Sequence, residues 1–112
     1  MQRRARPVDV FLGPLCSQWY LDLPQGEIRK KVDSMLDTLR ERWDAGDHIR
    51  RSMWPRQQAY SGITNLWRYD LDREMRATYT IRSAPDGRIK VEVIEIFEDH
   101  KSYDKRMGYH GS

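Results

Sequence analysis

Between Thr64 and Tyr109 the chain holds three strand-like runs joined by two tight turns, and no other stretch constrains the fold as strongly. Trp67, Tyr69 and Leu71 alternate with Arg68 and Asp70; past the Asp72-Arg73 turn, Met75, Ala77, Tyr79 and Ile81 alternate with Arg76, Thr78, Thr80 and Arg82. A period of two sends the two sets to opposite faces of a sheet, so the pattern predicts an antiparallel hairpin with one apolar face. Pro85-Asp86-Gly87 makes the second turn. The run Ile89 to Phe97, IKVEVIEIF, is apolar on both faces near its end, as expected of a central strand covered on each side. Asp99 then stands where a side chain caps a last helix, HKSYDKRM.

The first half supplies what packs on that sheet. Val8, Val10 and Leu12 alternate in PVDVFL, a first strand that Gly13-Pro14 breaks, and Leu15 and Trp19 are spaced for a short helix. From Pro24 to about Trp43, Ile28, Val32, Met35, Leu36, Leu39 and Trp43 recur at helical spacing. Pro24 suits the first turn of this helix, with Asp22 as a cap and Gly46 as a stop. Asp47 to Gly62 is irregular because Pro55 forbids a regular helix interior, and a loop with a short strand is expected there. The order predicts an α+β fold: an N-terminal strand and helices packed on an antiparallel sheet, closed by a short C-terminal helix. With 112 residues the chain supports one core and one domain spanning 1–112. The amphipathic helix is expected over the Trp67, Tyr69, Ala77, Tyr79, Val91 and Val93 side, leaving Arg68, Arg76, Thr78 and Arg82 on the opposite face.

Composition excludes several function classes. A hydrophobic share of 38% argues against disorder, while a net charge of +3 is too small to establish nucleic-acid binding, so the placement of charge matters more. The single cysteine, Cys16, rules out an intramolecular disulfide. No signal-like start and no apolar run near ~18 residues is present, and a cytoplasmic protein without a membrane role is expected. His48, His100 and His110 lack metal-ligand spacing, a Gly-rich phosphate loop and a GxSxG motif are missing, and neither metal nor cofactor is expected.

Two constellations can carry chemistry. Arg50, Arg51 and Arg56 in the irregular segment, with Arg68, Arg76 and Arg82 on one hairpin face, can line a groove. A guanidinium fork pairs with phosphate at any working pH, and Trp54, Tyr60, Tyr103 and Tyr109 offer rings on which single-stranded RNA stacks. The competing reading is a solvated face whose arginines pair with Asp70, Asp72 and Glu92. His100 and Tyr103 stand at i and i+3 on one side of the last helix, where an imidazole and a phenol can exchange protons. Alternatively His100 is a polar helix-start residue and Tyr103 a core anchor beside Met107. Glu95 and Glu98 fall on opposite faces and read as salt-bridge partners of arginines.

The segments NLWRYDL, REMRATYTI and EIFEDHKSYDKRMGY, in this element order, resemble the RelE/ParE toxin superfamily of type II toxin–antitoxin systems over roughly Val8 to Tyr109. The most specific part is an arginine-bearing strand leading through another strand to a His-Lys-x-x-Tyr-like tail, here His100-Lys101-Ser102-Tyr103. Resemblance to RelE implies a ribosome-dependent endoribonuclease, an mRNA interferase. Such enzymes cut mRNA in the ribosomal A site without metal, by attack of a ribose 2′-hydroxyl on the adjacent phosphate. It implies that Arg76 stabilises charge on that phosphate, that His100 and Tyr103 handle protons, and that Arg50, Arg51, Arg56, Arg68 and Arg82 hold the RNA backbone. The resemblance implies a lysine or glutamate base, which Asp47 to Tyr60 does not supply, and His100 is taken as the base in its place. The family also implies a cognate antitoxin whose disordered, acidic segment folds around the toxin. A ParE-like inhibitor of DNA gyrase and a catalytically degenerate binding protein are the alternatives.

Overall fold

The computed structural model describes residues 6–108. In chain order it contains β1 (Val8–Leu12), α1 (Ser17–Asp22), α2 (Glu27–Glu41), β2 (Asp47–His48), β3 (Trp67–Asp70), β4 (Arg76–Ser83), β5 (Ile89–Phe97) and α3 (His100–Met107), with single 3-10 turns at Arg51–Met53 and Gln58–Tyr60. β3, β4 and β5 form the expected antiparallel meander. β1, however, pairs with β5 in parallel, Val10 opposite Val91, and the sheet order is β1-β5-β4-β3-β2. The fold is thus α+β around a five-stranded mixed sheet, a correction to the antiparallel sheet expected above. Tight turns dictate direction only for the strands they join, and β1 reaches β5 across most of the chain.

One face of the sheet carries α2. Val32, Met35, Leu36 and Leu39 bury against Ala77, Tyr79, Val91 and Val93, so the helical and strand periodicities meet in one apolar core. The helix starts at Glu27, with Gly26 rather than Asp22 at its N-cap; Asp22 instead ends α1. Gly46 lies beyond the helix end and serves a close approach. Its N–H donates to the Tyr79 hydroxyl at 2.9 Å, and a Cβ there would sit 2.3 Å from the Arg68 carbonyl oxygen.

The opposite face is not the open basic surface expected from the alternation. α3 and the segment 49–63 cover it with a second core of Ile49, Tyr60, Leu66, Ile94, Phe97, Tyr103 and Met107. A β-bulge helps to build this face: Thr78 pairs with Glu95 but Tyr79 with Val93, so Ile94 is skipped. Ile94 and its neighbour Glu95 both serve the second face as a result. α3 is held at both ends. The Asp99 carboxylate accepts from the Ser102 N–H at 2.7 Å, and Gly108 closes the helix at φ 77°, where glycine has no Cβ to clash.

Candidate functional site

Where α3 and the irregular segment meet over β5, they leave a cleft of about 480 Å³ lined by Gln57, Glu95, Phe97, Ser102, Lys105 and Arg106. The helix supplies its wall through Ser102, Lys105 and Arg106, which share a face at i, i+3 and i+4. β5 supplies the floor. The bulge turns Glu95 inward, where it is 9% exposed and accepts three hydrogen bonds. The Tyr60 hydroxyl donates to Oε1 at 2.7 Å, while Arg106 donates from Nη2 at 2.9 Å and Nε at 3.1 Å to Oε2. The Tyr60 oxygen also lies 2.8 Å from Thr78 Oγ1, and burial pushes this phenol far above its ordinary pKa, so it is a neutral donor. Lys105, Arg56 and Arg50 are exposed and form no ion pair among the described residues. Arg51 lies over the Trp54 ring at 4.8 Å, and Trp54 Nε1 donates to the Ile49 carbonyl at 2.8 Å.

The expected catalytic residues gather at one end of the sheet, each already engaged. Arg76 stands opposite Phe97 in register, one fifth exposed; its Nε is 3.2 Å from Asp70 and its Nη1 donates to the Asp72 and Arg73 carbonyls at 3.0 and 3.2 Å. His100 Nδ1 is 2.9 Å from the Glu74 carboxylate, joining the start of α3 to the β3–β4 turn. Tyr103 is buried edge-on against Phe97 at 5.6 Å, and it is an electrostatic partner of Arg68.

The arginines do not form one groove. Arg68 bridges Asp47 and Asp70 at 3.3 and 3.0 Å, so Arg68 and Arg76 share Asp70. Arg82 belongs to the far end of β4, 3.6 Å from Glu92 and over the Phe11 ring at 5.6 Å. The competing reading, arginines paired with Asp70 and Glu92, describes these three. Asp72 departs from it, pairing with Lys31 at 2.5 Å. Two of the expected stacking rings, Tyr60 and Tyr103, are inside the protein, because a covered sheet face buries large rings. Trp54 is half-buried, and Tyr109 lies outside the described residues. Glu98 accepts from Trp19 Nε1 at 3.1 Å, on the opposite side of the sheet from Glu95, as the alternation predicts.

The sequence reading passed over Gln57, Lys105 and Arg106. The helical spacing of Ser102, Lys105 and Arg106 was the available signal for two of them. Among the described residues no three His, Cys, Asp or Glu side chains come together as a metal would require, and no helix is long and apolar enough to cross a membrane. No protein-family model matches the chain, and neither does any curated protein or solved structure.

Proposed function

We propose that this chain is a RelE-like toxin that takes single-stranded mRNA into the cleft between α3 and the segment 49–63, cleaves it in the ribosomal A site, and is silenced by a cognate antitoxin. The observation that carries the reading is the cleft itself, where Lys105 and Arg106 stand on one wall and Gln57, next to the exposed Arg56, on the other. Cationic walls around a groove track a nucleic-acid backbone, and a guanidinium fork matches two phosphate oxygens.

Cleavage needs a group to take the 2′-hydroxyl proton and one to protonate the leaving 5′-oxygen as the new P–O bond forms. Solvent water protonates the leaving 5′-oxygen as its bond to phosphorus breaks, and His100 takes the 2′-hydroxyl proton. This histidine lies outside the cleft lining, at the start of the helix that supplies the wall, where it is exposed and oriented by Glu74. Arg76 stabilises the phosphate charge by exchanging Asp70 for the phosphate. A second reading draws support from the ion pairs that occupy Arg76 and His100 and from the burial of Tyr103: a ParE-like gyrase inhibitor or a degenerate binding module needs no free catalytic groups.

A ribosome-dependent mRNA cleavage assay run beside a gyrase supercoiling assay separates the readings. Wild type is expected to cleave, and His100→Gln to lose about 100-fold or more, the usual scale of a lost general acid or base. Arg76→Ala is expected to lose about 2.7 to 4 kcal/mol of transition-state stabilisation. Inhibited supercoiling without mRNA cleavage supports the ParE-like reading instead. Inactivity in both assays leaves the binding module.

A further inference from the structure

We infer that Glu95 and Tyr60 form a positioning pair for Arg106, holding its guanidinium so that one edge grips the sheet and the other meets an RNA phosphate in the cleft. This inference rests on the RNA-binding reading and adds to it the residue that reads the phosphate. Arg106 uses Nε and one Nη2 hydrogen on a single Glu95 oxygen, at 3.1 and 2.9 Å. A guanidinium has five N–H donors, so among the described residues three are left without an acceptor, including both on Nη1. Its side chain is 33% exposed and lines the cleft, whereas that of Glu95 is 11% exposed.

The anchor is rigid on its other side as well. Glu95 pairs with Thr78 in the β4–β5 ladder, and its second oxygen accepts from Tyr60, whose own oxygen is fixed by the same Thr78. The guanidinium is therefore aimed before ligand arrives, and less freedom is lost when phosphate binds. The Arg106–Glu95 ion pair is close to neutral as a unit. Its contribution is direction, while the exposed Lys105 next to it contributes charge.

This gives an expectation opposite in sign to that of charge alone. Removing a carboxylate from an RNA-binding surface strengthens binding by simple electrostatics. If Glu95 aims Arg106, Glu95→Gln weakens binding despite the added net positive charge.

The test is fluorescence anisotropy with a labelled single-stranded oligoribonucleotide of about ten nucleotides, within the usual site size. It is run on wild type, Glu95→Gln, Arg106→Ala, Arg106→Lys and Glu95→Gln/Arg106→Ala. Urea denaturation of each protein restricts the comparison to folded variants, and the double variant leaves no buried carboxylate without its cation. Expected are a roughly tenfold loss in Glu95→Gln, a similar loss in Arg106→Lys, which keeps the charge but lacks the fork, and no further loss in the double variant beyond Arg106→Ala. Tighter binding by Glu95→Gln, or losses that add in the double variant, overturns the positioning role while the RNA reading stands. A wild type that binds no RNA overturns this inference, whereas the ribosome-dependent reading falls only if the cleavage assay fails as well.

Discussion

Beneath α2 the sheet buries Val91, Val93 and Ala77 against Val32, Met35 and Leu39, whereas beneath α3 and the segment 49–63 it buries Thr78, Thr80 and Glu95 beside Tyr60, Phe97 and Tyr103. The first face coheres through apolar area, which is non-directional and asks mainly for matching volume. The second depends on directional partners. Glu95 accepts from Tyr60 and Arg106, and losing one partner strands the other in a poorly solvated place. Because the same groups reach the cleft, substitutions on the second face are expected to alter stability and ligand binding together, and those on the first to alter stability alone.

The largest expected effect tests the apolar face. Leu39→Ala removes a fully buried side chain and is expected to cost about 2 to 5 kcal/mol by chemical denaturation. RNA affinity of the folded fraction should be unchanged; a parallel fall in affinity would break the separation of the two faces. Tyr60→Phe probes the polar face. It takes one donor from Glu95 and is expected to cost about 1 to 3 kcal/mol. In the same protein RNA affinity should drop, since the anchor of Arg106 is loosened, and an affinity equal to wild type would detach stability from function on this face too.

A smaller effect is expected at the end of α3. Asp99→Ala removes the only side-chain cap among the described helices and should lower stability by about 1 kcal/mol, seen as earlier thermal melting of a helix that also forms the cleft wall. The smallest concerns acid. The Lys31 ammonium, followed by the backbone N–H groups of Met75 and Glu74, holds Asp72 at a pKa of about 2, below its ordinary 3.8. A depressed folded-state pKa means that the stabilisation is complete above about pH 4 and fades as pH falls toward 2. Asp72→Asn should therefore flatten the decline of the urea midpoint between pH 4 and 2, and an unchanged slope would remove this link between α2 and the β3–β4 turn. Arg88 and Lys90 lower Asp9 in the same direction, so part of the acid response survives the substitution.

Much of the fold was legible because neighbouring residues encode it. Alternation in IKVEVIEIF marked β5 from Ile89 to Phe97, and Asp99 announced the start of α3 three residues before its N–H partner, Ser102. The spacing of Val32, Met35, Leu36 and Leu39 marked the buried stripe of α2. Its start was less legible, since Gly26 rather than the earlier proline and aspartate stands at the N-cap. Of the proposed site, the sequence singled out His100, Arg76 and Tyr103, none of which lines the cleft, and their partners were hidden. Glu74 meets His100 across 26 positions, and Glu95 meets Tyr60 across 35. Nothing in local spacing records such distances.

The sequence by itself determined which segments are helix and strand, which stripe of α2 is buried, and how β3, β4 and β5 follow one another, because propensity, periodicity and tight turns act between residues close in the chain. Only the tertiary structure decided that β1 joins β5 in parallel, that a bulge at Ile94 turns Glu95 toward the second face, and that α3 closes over a surface otherwise read as open. Each of these follows from packing between distant segments, where the need to cover apolar area and to partner buried polar groups outweighs any local preference.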